Sequence, residues 1–281
     1  MKIIIHGGFF SESTTDISTK IAKQEALKTV VKECYKYLET HTALEAVMHA
    51  VTMLEDDALF NAGIGSQIQS DGKIRMSAAI MDGATQKMSG VINIEEVKNP
   101  IQVALKLLPF EDRILGGEGA TSFARKNGFE AFSTEIPQRR KEYEANLKTY
   151  GQGTVGCVAL DSAGRIAAGT STGGKGFEMV GRISDSATVA GNFANEFCGV
   201  SCTGVGEDIV SNATAAKIVT RVTDDMPIAD AFEKTFAELK QFEGFAGAIA
   251  IDHKGNFYHK DSHVCMVYAS YDGEEVKVFG E

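Results

Sequence analysis

Apolar residues along the chain follow two patterns: a helical spacing of three and four positions, and short runs of β-branched and small residues. The first pattern predicts helices over about 19–38, 43–54, 100–108, 209–221 and 228–239. The second predicts strands over about 3–5, 76–81, 89–93, 154–160, 165–170, 246–251 and 264–269. Strands followed by helices and then by further strands indicate a layered α+β fold or an αββα sandwich.

The chain is expected to form one domain over residues 1–281, because no linker rich in Pro, Ser or Gly divides it. One stretch, 133–152, differs from the rest because it is highly charged and contains a proline. It is interpreted as either a solvated helix or a mobile tail. The two strands that follow are joined by Asp-Ser-Ala-Gly and form a predicted hairpin.

The charge balance argues against some classes of partner. With 38 acidic and 28 basic side chains, the net charge of -10 disfavours nucleic acid and anionic membranes. No apolar run approaches membrane-spanning length, and the aliphatic run before Gly7 is too short for a signal-peptide core. We therefore expect a cytoplasmic protein whose five cysteines are reduced core thiols.

Two pairs of metal-binding residue types are each four positions apart: Cys198 with Cys202, and His259 with His263. Neither pair makes a zinc site by itself. We interpret both pairs as structural.

The candidate chemistry begins at Gly153-Thr154. A threonine hydroxyl is a weak nucleophile at neutral pH, but an N-terminal threonine carries a base in its own α-amino group. Glycine tolerates distorted backbone geometry, so the Thr154 hydroxyl can attack the Gly153 carbonyl, form an ester and let water release a new N-terminus. Threonine is also favoured in strands for its shape, so the assignment depends on the motifs that follow.

Two later motifs supply groups that suit this nucleophile. The hairpin returns Thr170 and Thr172 toward the level of Thr154. Arg182 and Asp185 lie three residues apart, and together they match the carboxylate and ammonium of an α-amino-acid head group. A surface salt bridge between Arg182 and Asp185 is the alternative interpretation.

The segment 201–207 is interpreted as a small-residue turn ahead of a helix. In it, the Thr203 hydroxyl and the Gly204 amide form a candidate oxyanion hole, the donor pair that acyl transfer requires.

These stretches, in this order, resemble the plant-type L-asparaginases and isoaspartyl aminopeptidases of the N-terminal-nucleophile hydrolases. The resemblance runs nearly end to end. Besides the three downstream motifs, it is carried by His-Gly-Gly (6–8), Leu-Glu-Asp-Asp-Ala-Leu-Phe-Asn-Ala-Gly-Ile-Gly (54–65), Met-Asp-Gly (81–83) and Gly-Thr-Val-Gly-Cys-Val-Ala-Leu-Asp (153–161). It implies a four-layer αββα sandwich, cleaved into an α segment of 1–153 and a β segment of 154–281.

The resemblance also implies roles for the matched residues. Thr154 would be the nucleophile, Thr172 the hydroxyl that orients it, and Asn61 a residue beside it. Thr203 and Gly204 would form the oxyanion hole.

On the substrate side, the resemblance implies that Arg182 holds the α-carboxylate. Asp185, helped by the Gly206 carbonyl, would hold the α-amino group. No cofactor is expected for catalysis. A structural sodium ion is implied, bound through the backbone carbonyls of Leu54, Glu55, Asp57, Phe60, Ala62 and Ile64.

The sequence departs from the family pattern in three places. Phe9-Phe10 follow His-Gly-Gly where small residues are usual, which predicts a site that is narrower near this turn. Ser184 stands where glycine is usual, before the aspartate. The stretch 190–199 is about two residues shorter than expected.

The function that the resemblance implies is hydrolysis of β-aspartyl dipeptides and L-asparagine to release L-aspartate, by a homodimer of cleaved protomers. We expect the dipeptides to be the better substrates. A glycosylasparaginase is one alternative, but that activity usually accompanies export, disulfides and an Asp-Thr cleavage site. A non-catalytic protein that binds aspartyl metabolites is the other.

Overall fold

The computed structural model describes residues 1–10, 17–146, 153–263 and 265–281. The helices are α1 (Ile17–Leu38), α2 (Ala43–Glu55), α3 (Pro100–Leu107), α4 (Gly117–Lys126), α5 (Pro137–Glu144), α6 (Gly206–Asn212), α7 (Thr214–Thr223) and α8 (Ile228–Leu239). The strands are β1 (Lys2–Phe9), β2 (Met76–Asp82), β3 (Lys87–Ile94), β4 (Ile114–Gly116), β5 (Val155–Leu160), β6 (Ile166–Thr172), β7 (Asn192–Ala194), β8 (Cys198–Gly204), β9 (Ala246–Asp252), β10 (Phe257–Asp261), β11 (Met266–Tyr271) and β12 (Val276–Val278).

The strands form two sheets. Within the described ranges, the larger sheet has eight strands in the order β12-β11-β1-β5-β6-β2-β3-β4, and the smaller has four in the order β10-β9-β8-β7. β1 pairs antiparallel with both β11 and β5, so both of its edges are hydrogen-bonded. β5 and β6 form the predicted antiparallel hairpin beside it.

Three apolar cores separate four layers. Successive strand residues point to opposite faces of a sheet. Ile3 and Ile5 of β1 accordingly pack in a core with α1, α2 and α3, whereas Ile4 packs with Ile249 of β9 between the two sheets. The third core lies between the smaller sheet and α6 to α8, and it contains Phe232. This arrangement confirms the predicted αββα sandwich.

Two predicted elements differ from the structure. The predicted helix over 209–221 is two helices, because Ala213 adopts a left-handed conformation (φ 52°) between α6 and α7. The interpretation of 201–207 as a turn is wrong, since β8 continues to Gly204. A Cβ on Gly199 would stand 2.8 Å from side-chain atoms of Val158 and Ile166, so the small residues of β8 permit close sheet packing.

The charged stretch before the predicted cleavage site contains the helix α5. Arg139 and Glu142 on this helix are buried, and Arg139 Nη1 donates a hydrogen bond to Glu142 Oε2 at 2.7 Å. Arg139 Nε also donates to the Gly65 carbonyl at 2.9 Å. This part of the stretch is therefore a packed helix, and residues 147–152 of the predicted tail lie outside the described residues.

Candidate active site

The β5–β6 hairpin brings the candidate nucleophile and a second threonine to the same end of the larger sheet. Val155 lies opposite Ser171 in the antiparallel register. Continuing this register by one residue places Thr172 opposite Thr154. Thr154 is 7% exposed, and its Oγ1 lies 3.5 Å from Ser186 Oγ.

A cavity of about 190 Å³ opens beside Thr154. It brings together residues as far apart in the sequence as Phe9 and Phe245, since the two sheets and the loops at their ends converge here. The predicted site residues that line it are Gly153, Thr154, Thr172, Arg182, Asp185, Thr203, Gly204 and Gly206.

Three lining residues carry a buried polar atom without a hydrogen-bond partner in the described part of the chain: Ser184 Oγ, Asp185 Oδ2 and Thr203 Oγ1. Buried polar groups in native proteins nearly always have partners, and leaving one unsatisfied costs about 1–3 kcal/mol. Three such atoms around one cavity therefore mark a place where a polar ligand is expected to bind.

Arg182 and Asp185, which we call the head-group clamp, are not bonded to each other through their side chains. Arg182 Nε and Nη2 donate to the two carboxylate oxygens of Glu207 at 2.8 and 3.0 Å. Lys175 Nζ donates to the same Glu207 Oε1 at 3.2 Å. The alternative of a surface salt bridge between the two clamp residues is wrong, because the ion-pair partner of Arg182 is Glu207.

Gly206 lies next to both side chains of the head-group clamp. A Cβ at this position would stand 2.8 Å from Asp185 Oδ1 and 2.9 Å from Arg182 Nη2. Any side chain here would enter the space between the two charged groups. The glycine therefore keeps that space open.

The predicted cleavage site is tightly enclosed. A Cβ on Gly153 would stand 2.6 Å from Thr203 Oγ1 and 2.7 Å from the Gly8 Cα. Gly8 itself has a φ of 84°, and a Cβ on it would meet the Gly153 Cα at 2.5 Å. The two glycines thus pack backbone against backbone, and the Thr203 hydroxyl lies directly beside the Gly153–Thr154 peptide.

The two carboxylates of the cavity have opposite electrostatic surroundings. Burial raises the pKa of Asp185 to about 7, and the positive charge of Arg182 opposes this shift only in part. Hydrogen bonding to Arg182 lowers the pKa of Glu207 to about 2. Glu207 is therefore ionised at neutral pH, whereas the Asp185 carboxyl is ionised only in part, and a bound cation would favour its charged form.

A buried polar network lies beside β5, next to Gly156. His6 Nε2 is 2.9 Å from Ser201 Oγ, which is 2.7 Å from Thr170 Oγ1. Burial lowers the pKa of His6 to about 3, so its imidazole is neutral at pH 7. The network links β1, β6 and β8, and Thr170 belongs to it rather than to the cavity lining.

Asn61 lies one loop away from the cavity lining. Its side-chain Nδ2 donates to the Gly174 carbonyl at 2.6 Å, and its main-chain carbonyl accepts from the Gly173 amide at 2.9 Å. Asn61 therefore holds the loop that follows Thr172.

Phe9 and Phe10, the two phenylalanines after His-Gly-Gly, pack in different parts of the structure. Phe9 lines the cavity and packs edge-to-face on Phe245, with ring centroids 4.8 Å apart. We call Phe9 and Phe245 the aromatic wall. Phe10 instead packs near Phe279, with ring centroids 6.5 Å apart, in the helix-side core.

The end of α2 and the loop that follows it supply the predicted sodium-binding carbonyls. The Glu55 carbonyl accepts from the Ile64 amide at 2.7 Å, and the Asp57 carbonyl accepts from the Phe60 amide at 3.1 Å. Each carbonyl retains a second lone pair. The Phe60 oxygen points into the loop, 2.7 Å from where a Cβ on Gly65 would stand. This compact loop is compatible with a cation held by main-chain oxygens, and the described side chains form no metal-binding cluster.

The Glu55 side chain has a separate structural role. Its Oε1 accepts hydrogen bonds from Ser171 Oγ at 2.6 Å and from the Ile101 amide at 3.1 Å. Burial raises the pKa of Glu55 to about 8. The carboxyl group ties the end of α2 to β6 and α3.

Two larger clefts elsewhere do not show the same chemistry. One of about 350 Å³ includes Glu95, Glu96 and Glu135, and one of about 370 Å³ includes Lys260 and Asp261. None of the residues that line them has an unpartnered buried polar atom in the described ranges. Size alone therefore does not locate the candidate active site.

Several residues that line the cavity or contact Thr154 were not assigned from the sequence. Ser186 and Glu207 stand inside motifs that were already singled out, so their polar side chains were an available signal. Phe245 had none, because its contact with Phe9 depends on the packing of the two sheets. Lys175 follows Thr-Ser-Thr-Gly-Gly directly, and its charge was a weak signal.

All five cysteines are free, and Cys198 and Cys202 are buried in the core under the smaller sheet. Among the described residues, no helix combines the length and apolar character needed to cross a membrane.

Comparison with known proteins agrees with these motifs and this geometry. The family described as Asparaginase matches residues 1–281. The chain is 42% identical to the isoaspartyl peptidase/L-asparaginase of Nostoc sp., over 98% of this chain and 93% of the relative. It is 36% identical to the plant-type L-asparaginase of Pyrococcus abyssi, over 95% of each chain, and 36% identical to the isoaspartyl peptidase of Escherichia coli, over 90% and 87%. The resemblance recognised from the motifs is confirmed, and the chain belongs to the Asparaginase family.

Proposed function

We propose that this protein hydrolyses β-aspartyl dipeptides and L-asparagine to L-aspartate, after it cleaves itself before Thr154. The observation that carries the proposal is the cavity in which a strand-end threonine, a charged clamp and three unpartnered buried polar atoms meet. The names of the relatives support the same substrates.

Self-cleavage begins when Thr154 Oγ1 attacks the Gly153 carbonyl carbon. The peptide C–N bond breaks as the ester C–O bond forms, and the hydroxyl proton passes to the released α-amino group. Water then hydrolyses the ester. The Thr203 hydroxyl beside Gly153 donates to the carbonyl oxygen while that oxygen carries negative charge.

Substrate hydrolysis uses the same hydroxyl. Arg182 binds the α-carboxylate, and Asp185 with the Gly206 carbonyl binds the α-ammonium. The Thr154 amino group takes the proton of Oγ1, which attacks the β-carbonyl carbon. Thr203 and Gly204 stabilise the oxyanion.

The leaving group departs with the proton that the amino group took up. Thr172 orients the nucleophile, and Asn61 supports it through the loop that follows Thr172. Ammonia leaves from L-asparagine, and an α-amino acid leaves from a dipeptide. Water then cleaves the β-aspartyl ester by the same proton transfers and releases L-aspartate.

The aromatic wall favours dipeptides on the leaving-group side. Phe9 and Phe245 present apolar surface to the cavity that holds the nucleophile. A dipeptide with an apolar second residue gains contact there that ammonia does not provide, and such binding energy is available in the transition state. We therefore propose β-aspartyl-leucine as a better substrate than β-aspartyl-glycine or L-asparagine.

Three further features belong to the proposal. The main-chain carbonyls of Leu54, Glu55, Asp57, Phe60, Ala62 and Ile64 would hold a sodium ion, which would fix the segment around Asn61 and take no part in the reaction. Free cysteines fit a reducing compartment, which supports the cytoplasm as the location. The exposed apolar side chains Met179, Val180 and Ile183 provide a candidate surface for a homodimer, which light scattering after size-exclusion chromatography tests.

The test combines intact-mass spectrometry with kinetics on the three substrates. We expect two chains that meet at Gly153 and Thr154, one chain and no activity for Thr154→Ala, and slow cleavage for Thr154→Ser. Arg182→Ala should cleave normally and lose at least 100-fold in kcat/KM. The matched control is Arg165→Ala, which removes an arginine ion pair at the far turn of the hairpin.

Each alternative has its own signature in this experiment. A wild-type protein that stays at 30.1 kDa through long incubation refutes the self-cleavage proposal. Binding of L-aspartate by a single uncleaved chain without turnover indicates a binding protein. Preferential release of sugar from glycosylated asparagine indicates a glycosylasparaginase.

A further inference from the structure

The hydroxyl of Ser184 is buried in the candidate active site without a partner. Ser184 is 7% exposed and lines the cavity between the two clamp residues in sequence. It precedes the 3₁₀ helix Asp185–Ala187, which is one turn long, yet its side chain makes no capping hydrogen bond to that turn. Local structure therefore does not explain a buried hydroxyl at this position.

Arg182 reaches the cavity with only part of its guanidinium free. Nε and Nη2 each donate one hydrogen bond to Glu207 in a bidentate pair, and Lys175 Nζ also donates to Glu207 Oε1. In the described residues, Nη1 of Arg182 has no hydrogen-bond partner. One N–H of Nη2 and both of Nη1 therefore remain for a substrate carboxylate, whose two oxygens accept about four hydrogen bonds, while the nearby Glu207 charge weakens the attraction.

We propose that Ser184 binds the substrate: its unpartnered hydroxyl donates a further hydrogen bond to the α-carboxylate, beside the free N–H groups of Arg182. The α-ammonium is a less suitable partner, because the Asp185 carboxylate already supplies acceptors on that side. An ammonium also needs no donor. Ser184 thus adds a neutral donor beside a guanidinium whose charge Glu207 partly offsets, an inference that rests on the proposed function.

The test measures competitive inhibition of β-aspartyl-leucine hydrolysis by three product analogues. L-Aspartate carries both head-group charges, succinate lacks the α-ammonium, and β-alanine lacks the α-carboxylate. For Ser184→Ala, the inhibition constants of L-aspartate and succinate should rise about tenfold, as for a lost hydrogen bond to a charged group. That of β-alanine should stay within twofold, and Ser184→Thr should restore tight binding of L-aspartate.

Two controls separate this role from a structural one. Ser162→Ala makes the same change at the exposed far turn of the hairpin and should leave all three constants unchanged. Glu207→Ala frees the guanidinium, so adding Ser184→Ala to it should weaken L-aspartate binding less than threefold. A tenfold loss in both backgrounds would overturn the link to Glu207.

The pattern across the analogues decides the partner of Ser184. If Ser184→Ala weakens L-aspartate and β-alanine but not succinate, the hydroxyl faces the ammonium and the inference is wrong. Equal constants for wild type and Ser184→Ala also overturn it. A wild-type protein that neither hydrolyses β-aspartyl-leucine nor binds L-aspartate instead refutes the proposed function.

Discussion

Replacing Asp185 with asparagine should stabilise the fold while it removes a group that the substrate needs. The Asp185 carboxyl is 2% exposed, and one of its oxygens has no hydrogen-bond partner among the described residues. Burial raises its pKa from the ordinary 3.8 to about 7. Between about pH 3.8 and pH 7, the folded protein therefore holds a proton that the unfolded chain has already released.

The sign and size of the effect follow from linkage. Because the folded state binds more protons in this window, stability falls as the pH rises, and the loss is complete above about pH 7. At about 1.4 kcal/mol per pKa unit, the shift corresponds to a total of about 4 kcal/mol. Between about pH 5 and pH 8 the loss is about 2 to 3 kcal/mol. Asparagine at this position does not ionise, so the variant avoids this loss of stability.

The assay is urea denaturation of Asp185→Asn and its parent at these two pH values. Both proteins carry Thr154→Ala, so that a single chain unfolds, and both are measured at the same concentration. The stability gained from asparagine should be larger at pH 8 by about 2 to 3 kcal/mol. Shifts from other titrating groups cancel in the difference between variant and parent.

The same substitution at Asp112, whose side chain is exposed, is the matched control. A gain for Asp185→Asn that is equal at both pH values would refute the reasoning, since it would mean that the buried carboxyl does not hold a proton. A gain that is larger at pH 5 would show that Arg182 outweighs burial.

Three shorter predictions test the glycines and the aromatic wall. Gly206→Ala should lower kcat/KM at least 100-fold, because its Cβ enters the head-group clamp, while intact mass still shows two chains. Gly8→Ala should block cleavage in a gel time course, because its Cβ overlaps Gly153; Gly164→Ala, with a similar φ of 78° and no atom within 4 Å, should cleave normally. Phe245→Ala should reduce the preference for β-aspartyl-leucine over β-aspartyl-glycine about tenfold in kcat/KM, and an unchanged ratio would place the leaving group elsewhere.

Local patterns predicted most of the fold. The helix over 228–239 and the hairpin of β5 and β6 followed from periodicity and turn residues, which act over a few neighbouring positions. The short strands β4, β7, β10 and β12 and the helix α4 were not predicted. β8 was missed because its small residues serve contact with the other sheet, and a turn has the same composition.

The candidate site divides in the same way. The sequence by itself determined the family, the nucleophile candidate Thr154 and the clamp, because these residues stand in short motifs whose order is specific. Only the tertiary structure decided that Arg182 pairs with Glu207, that Ser184 is buried without a partner, and that Phe245 joins Phe9. Such contacts join side chains from different layers, and their distances depend on how the sheets and loops pack, which no spacing along the chain encodes.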